Sequence, residues 1–279
     1  QFRFSLSALS PHGRKQVVQM KPVCLIIGAG AGIGGCVAQR FAAGGYHVVL
    51  SRRSDQQGLD LLIQEIQQQG GTASGRLANA VEVGVIETLV AESEKLGAIE
   101  VVIFNLGAQI GTRSLAETSL KQFELGWRMA CLGLFRAAQA AMPGMLQKGK
   151  GCFLVTSSTA AMRGNEGQHS HAAAMAGRRM LCQSLNAEVG AKGIHVAHII
   201  VDGPVDAPDT LGKLLGAENF AQLRQKVGSK DGLLDPKQIA ESYWHVAHQH
   251  RSAWTHEMDL RPWSELPWWN DKPLPTAKI

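Results

Sequence analysis

Three closely spaced glycines, Gly28, Gly32 and Gly34, follow directly on an apolar run at residues 23–27. A helical pattern begins immediately after them. Glycines at a strand-to-helix turn let the backbone approach a pyrophosphate, and the helix N-terminus adds free N–H groups and a positive dipole end. The alternative is a tight turn that holds no ligand. The position between strand and helix favours a nucleotide site at this turn.

Two arginines, Arg52 and Arg53, follow the second apolar run. Dinucleotide-binding folds commonly carry an acid here that holds the ribose hydroxyls of NAD, whereas an arginine suits the 2′-phosphate of NADP. Neither Leu50 nor Ser51 is acidic, so the sequence favours NADP, with NAD as the less favoured alternative. The competing interpretation is that both arginines are solvated surface charges.

These residues are set in a chain that alternates apolar runs with amphipathic segments. The pattern predicts strands at residues 23–27, 47–50, 74–78, 99–105, 152–156, 194–201 and 254–260. It predicts helices at residues 33–43, 59–66, 85–96, 119–147, 170–189 and 236–248. Repeated βαβ units of this kind give a single-domain α/β fold with a Rossmann-like, doubly wound parallel sheet.

The glycine spacing G-x-x-x-G-x-G, with Gly32-Ile33-Gly34 at its end, resembles that of the short-chain dehydrogenase/reductase family. The resemblance extends over residues 21–262 and implies one dinucleotide-binding domain there. Residues 1–20 are then expected to be a disordered or artificially added extension, and residues 263–279 a C-terminal tail. The resemblance and the residues together predict the following cofactor-binding set: Gly28, Gly32, Ile33, Gly34, Arg52, Arg53, Asn79, Asn105, Gly107 and Val205.

Most of the catalytic positions implied by this resemblance carry other residues. Ser158, at the end of the fifth predicted strand, matches the serine with which the family orients a substrate carbonyl. His171 stands in place of the family's tyrosine, Met175 in place of its lysine, and Ala130 in place of its asparagine. An imidazole can act as a general acid or base, so Ser158 and His171 are the predicted catalytic residues. The alternative is that both positions have drifted after loss of activity.

Two functions follow from these alternatives. The first is an NADP-dependent oxidoreductase acting on a carbonyl or alcohol with an altered active site, and the second is a catalytically silent dinucleotide-binding protein acting as a partner or sensor.

Arg178 and Arg179 are expected either to approach the cofactor ribose or to be solvated or lie between helices. Asp202 stands where the family has proline in the loop that lies along the nicotinamide.

Composition argues against other classes of partner. The formal net charge is +5, but residues 1–20 contribute +3 of it, so the body gives no electrostatic case for nucleic acid. No apolar run approaches the roughly 20 residues of a membrane helix. The five cysteines lack a C-x-x-C spacing and the histidines lack a ligand set. Free thiols, a cytoplasmic location and no metal are therefore expected.

The resemblance also implies a homodimer or homotetramer built on the long helices at residues 119–147 and 170–189. The substrate is expected to be a small molecule. Five of the six tryptophans lie beyond residue 240. Aromatic rings at this density are seldom left in water, so the C-terminal segment is predicted to be ordered against the body through Trp269.

Overall fold

The computed structural model describes residues 7–9, 15–17, 20–107, 111–228, 231–265 and 267–270. Its strands are β1 (Ser7–Leu9), β2 (Lys15–Val17), β3 (Val23–Ile27), β4 (His47–Arg52), β5 (Thr72–Leu77), β6 (Ile99–Phe104), β7 (Gly151–Ser158), β8 (Ile194–Val201) and β9 (Glu257–Leu260). Its helices are α1 (Ile33–Ala43), α2 (Gln56–Gln68), α3 (Val85–Leu96), α4 (Leu120–Trp127), α5 (Gly133–Lys148), α6 (His169–Val189), α7 (Lys213–Leu215), α8 (Ala217–Val227) and α9 (Pro236–Ala247).

The extension and the tail expected at the two ends fall largely outside the described residues. Of residues 1–20, the structure describes Met20 and the backbone of β1 and β2, which pair antiparallel. Of residues 263–279, it describes 263–265 and 267–270. The expected extension and tail therefore stay predictions.

β3 to β9 form one parallel seven-stranded sheet in the order β5-β4-β3-β6-β7-β8-β9. The predicted doubly wound α/β fold is thereby confirmed. An apolar run such as Val23–Ile27, buried at every residue, is typical of a parallel strand that helices cover on both faces. The strand order reverses at β3, which lies between β4 and β6. A crevice therefore opens at the carboxyl ends of β3 and β6.

Alternate residues of β3 enter two separate apolar layers. Cys24 and Ile26 pack in the layer that contains α1, α2 and α9. Val23, Leu25 and Ile27 pack in the layer that contains α3, α5 and α6. Burial of each large apolar side chain contributes roughly 1.5–3 kcal/mol to folding. The two layers hold the sheet, and hence the loops at its carboxyl edge, in a fixed arrangement.

The long helix predicted over residues 119–147 is two helices joined by a π-helical turn. Ser119 begins α4 with a capping box, in which its Oγ accepts a hydrogen bond from the N–H of Gln122 at 3.3 Å. The chain then widens at Arg128–Leu132 before α5 begins. π-helical turns occur frequently at functional sites. This one carries the fully buried Ala130 toward α6.

Candidate functional site

A cleft of about 670 Å³ opens at the carboxyl ends of the strands. Its walls come from the loops that follow β3, β4, β6, β7 and β8, and from α6. It brings together nearly all of the predicted site residues, namely Gly28, Gly32, Ile33, Gly34, Arg52, Arg53, Asn105, Gly107, Ser158, His171 and Val205. Asn79 does not line the cleft, and its side-chain amide donates a hydrogen bond to Glu82 at 2.8 Å.

Two of the three glycines at the turn have no room for a side chain. Gly28 has a φ of 100°, and a Cβ there would lie 2.7 Å from the carbonyl oxygen of Asn105. A Cβ on Gly34 would overlap the Gly28 carbonyl oxygen. The side-chain amide of Asn105 donates to that same oxygen at 2.9 Å and fastens the turn to the loop after β6. The N-terminus of α1, which begins at Ile33, is left open to the cleft and fits a diphosphate.

Arg52 is held from two sides, while Arg53 is exposed at the rim of the cleft. The Nε of Arg52 donates to the carbonyl oxygen of Ala29 at 2.7 Å, and its Nη1 donates to Asp55 Oδ2 at 2.5 Å. Asp55 caps α2 by accepting from the N–H of Gly58 at 2.9 Å. That hydrogen bond, followed by the charge of Arg52, holds the pKa of the Asp55 carboxyl below its usual range. The interpretation of Arg52 as a solvated surface charge is therefore wrong.

Asp55 is a residue of the cleft that the sequence argument missed. It lines the cleft three residues after Arg52, so an acid does stand beside the arginines. The signal was available in the sequence. An aspartate just before the amphipathic segment of α2 is a typical N-cap, and a capping residue lies at the carboxyl edge of a parallel sheet.

The predicted catalytic pair meets in the cleft wall. Ser158 Oγ and His171 Nε2 lie 3.3 Å apart. Ser158 is the last residue of β7, and His171 lies in the first turn of α6, so the sheet edge and the helix start position the two side chains. A hydroxyl and an imidazole at this separation can pass a proton to a bound molecule. Neither Tyr46 nor Tyr243 lines the cleft.

The wall beside this pair is apolar. Met175, one turn after His171 on α6, is 3% exposed and lines the cleft. It packs in a small cluster of buried side chains made of Ala130, Ala160, Ala161, Ala174 and Met175. The cationic side chain that α6 does bring to the cleft lies nearly one turn further on, at Arg178.

Arg178 is buried at the floor of the cleft with 1% of its surface exposed. Its guanidinium donates three hydrogen bonds to backbone carbonyl oxygens, those of Ala130 at 3.3 Å, Thr156 at 2.6 Å and Leu106 at 2.7 Å. Among the described residues, no carboxylate pairs with it. Burial lowers the pKa of Arg178 to about 10. The expectation of a solvated Arg178 is therefore wrong.

The three carbonyls come from three separate elements: the π-helical turn, β7 and the loop after β6. Arg178 thus joins these three elements to α6 by hydrogen bonds beneath the cleft. The sequence contained a signal for this placement, since residues 171, 175 and 178 share one face of a helix and the first of them was already assigned to the site.

Arg179, the next residue of α6, joins this helix to β9. It donates to both carboxylate oxygens of Glu257, at 2.6 and 2.8 Å. Glu257 Oε2 also lies 3.1 Å from Nδ1 of His198, a wholly buried residue of β8. Burial lowers the pKa of His198 to about 4, so the ring is neutral at pH 7. This polar cluster ties the last strand to the sheet.

Asp202, in the loop after β8, forms contacts that a proline cannot. Its N–H donates to the carbonyl oxygen of Leu260 at 2.8 Å and continues the pairing of β8 with β9. Its Oδ2 accepts from the N–H of Trp268 at 3.3 Å. The carbonyl oxygen of Trp268 in turn accepts from Nη1 of Arg163 at 3.0 Å. The segment around Trp268 therefore lies against the body, although Trp269 is 60% exposed.

Two other kinds of site are absent from the part of the chain that the structure describes. No group of three or more His, Cys, Asp or Glu side chains there is arranged to hold a metal ion. None of the described helices is both long enough and apolar enough to cross a bilayer.

Comparison with known proteins agrees with this geometry. A family model described as short chain dehydrogenase matches residues 22–213. The glycine betaine reductase ATRR of Emericella nidulans is 28% identical over 247 residues, which cover 87% of this chain and 19% of that protein. The chain spans 19–35% of the length of the first curated relatives that it matches.

Solved structures extend the comparison to the fold. A short-chain dehydrogenase from Rhodopseudomonas palustris is 31% identical with a TM-score of 0.73, covering 87% of this chain and 99% of that one. A metagenomic short-chain oxidoreductase solved in complex with NADP is 20% identical with a TM-score of 0.71, covering 86% of this chain and 97% of that one. The second likeness is one of fold alone.

Proposed function

Because this chain belongs to the short-chain dehydrogenase family, we propose that it is an NADP-dependent oxidoreductase with an altered active site. Its substrate is the carbonyl or alcohol group of a small molecule. The observation that carries the proposal is the pair of Ser158 Oγ and His171 Nε2, 3.3 Å apart inside the cleft. Arg53 at the cleft rim and Arg52 in the cleft wall, two cations at the end of β4, support NADP over NAD.

The residues present fit a dinucleotide. The side-chain-free turn at Gly28 and Gly34 leaves the N-terminus of α1 open to a diphosphate, and Arg53 offers a cation at the rim. Asn105 and Gly107 line the cleft between this turn and the catalytic pair. When bound, the nicotinamide supplies or accepts the hydride.

The chain's own residues handle the proton. Ser158 holds the substrate oxygen with its hydroxyl, and His171 gives a proton to that oxygen during reduction or takes one during oxidation. The family's tyrosine and lysine positions are, in this proposal, His171 and Met175. An ammonium group beside an imidazole would disfavour its protonated form, so an apolar Met175 is chemically consistent with a histidine in this role.

The test is NADPH oxidation with a panel of small carbonyl compounds. Replacing His171 by alanine is expected to lower the rate by about 10²–10⁴, the usual effect of losing a general acid or base. His169→Ala is the matched control, because His169 lies on the same helix but does not line the cleft. Equal rates for the parent and His171→Ala proteins would remove His171 from the catalytic role.

The second candidate function is a catalytically silent dinucleotide-binding protein that acts as a partner or sensor. It is favoured by the apolar cluster that contains Met175 and Ala130, because these are the positions at which the family carries its lysine and its asparagine. NADPH fluorescence measures binding separately from turnover. Binding with no turnover of any carbonyl would support this candidate over the enzyme.

We also propose that the protein assembles as a homodimer or homotetramer through α4, α5 and α6. Large apolar side chains on these helices are exposed, among them Leu120 at 88%, Trp127 at 46% and Phe135 at 46%. Exposed apolar side chains that form a contiguous patch mark an interaction site. The free state of the five cysteines supports a cytoplasmic location.

A further inference from the structure

One segment of the chain lies directly over the glycine turn. We call residues 207–213 the covering segment, because Ala207, Asp209, Thr210 and Lys213 all line the cleft opposite the turn. A Cβ added to Gly32 would lie 3.0 Å from Cβ of Ala207 and 3.7 Å from Oγ1 of Thr210. The turn and the covering segment are therefore in contact and form the two sides of the cleft mouth.

The positive and negative side chains at this mouth nearly cancel. Three cations, Arg52, Arg53 and Lys213, and two anions, Asp55 and Asp209, line this mouth, so the five charges sum to +1; the four that remain without Lys213 sum to zero. Asp55 occupies one guanidinium nitrogen of Arg52 at 2.5 Å and places a negative charge where a phosphate would otherwise meet an arginine. Arg53 is then the arginine left for a phosphate at this mouth, and a second cation has to come from the opposite side of the cleft.

Lys213 is available for that role. Its Nζ lies 3.6 Å from Asp209 Oδ1, a long contact between side chains that are 71% and 57% exposed. An exposed pair of this kind contributes little and is easily exchanged for another anion. Lys213 is also close enough to Asp55 that its charge adds to the Gly58 hydrogen bond and to Arg52 in lowering the pKa of that carboxyl.

We propose that Lys213 binds the 2′-phosphate of NADP across the cleft mouth, together with Arg53. The covering segment then determines cofactor specificity, although its position in the sequence is remote from the strand that carries the arginines. This inference rests on the proposed dependence on NADP. In this proposal Lys213 supplies the positive charge that the cleft mouth lacks while Asp55 pairs with Arg52.

The test compares dissociation constants for NADPH and NADH by nucleotide fluorescence in the parent, Lys213→Met and Lys226→Met proteins. Lys226 is the matched control, since it is an exposed lysine on α8 that does not line the cleft. Lys213→Met is expected to weaken NADPH binding about threefold to tenfold. This effect lies between the loss of an exposed ion pair and the loss of a full charge-assisted hydrogen bond. NADH binding should change less than about twofold, and Lys226→Met should change neither.

Each of the other possible results contradicts one part of the proposal. Unchanged NADPH binding in Lys213→Met removes Lys213 from the site, and equal weakening of NADPH and NADH assigns it to the diphosphate instead. Asp55→Asn keeps the cap of α2 and is expected to tighten NADPH binding, so a failure to tighten it refutes the charge balance. A parent protein that binds neither nucleotide refutes the proposed function itself, which is a separate result.

Discussion

Replacing Arg178 by methionine is expected to destabilise the fold by about 2–4 kcal/mol. Three buried carbonyl oxygens lose a charged donor, and each such hydrogen bond contributes roughly 1.5–3 kcal/mol. The loss is offset by several kcal/mol, because methionine carries no charge that must be taken out of water. For a domain of this size the net change corresponds to a fall in Tm of roughly 5–15 °C.

The assay is urea denaturation of the nucleotide-free protein at pH 7, with Arg53→Met as the control. Arg53 is exposed at the cleft rim, so its replacement should change the free energy of unfolding by less than about 0.5 kcal/mol. Arg178→Lys should recover less than half of the loss, because an ammonium group cannot donate in three fixed directions as a guanidinium does. A cost below about 1 kcal/mol for Arg178→Met would refute the view that Arg178 fastens the cleft floor.

Three further predictions concern other parts of the molecule. Gly34→Ala should lower the free energy of unfolding by more than about 2 kcal/mol, whereas Gly30→Ala, whose added Cβ meets nothing within 4 Å, should leave it nearly unchanged by the same urea assay. The free energy of unfolding should fall as the pH drops from about 6.5 to 4, because the unfolded chain protonates His198 in that range while burial keeps the folded ring neutral; His198→Gln should flatten this part of the profile. Light scattering at micromolar concentration should give a dimer or tetramer mass, and Leu120→Glu should lower it; a monomeric parent protein would contradict the proposed interface.

The fold and the glycine turn could be predicted from the sequence because local patterns encode them. The apolar run of β3 needs helices on both faces, and the amphipathic segment of α1 supplies one of them. Gly28 and Gly34 are required by backbone contacts within a few residues or one neighbouring strand. The glycine signal can be read from a single sequence because the spacing of Gly28, Gly32 and Gly34 after an apolar run identifies the turn even where the contact that requires a glycine, such as that of Gly28 with Asn105, is remote.

The sequence marks Asp55 as an N-cap and puts Arg178 on the helix face of His171, but it does not show which groups these charged side chains contact. The pairing of Arg52 with Asp55 depends on how α2 leaves β4, and the position of Lys213 depends on the path of the covering segment. The partners of Arg178 are carbonyl oxygens from three elements that lie far apart along the chain. The direction of a side chain in these loops depends on tertiary packing, which the periodicity of a sequence does not report.

The N–H of Asp202 has a consequence for the way this protein opens. A proline at this position would end the pairing of β8 with β9, and the loop along the cleft could fluctuate while the sheet stayed intact. Here one more backbone hydrogen bond continues the ladder into that loop. The cleft wall and the C-terminal strand then belong to one cooperative unit, so the Asp202 amide should exchange with deuterium at the rate of β9 rather than of a surface loop.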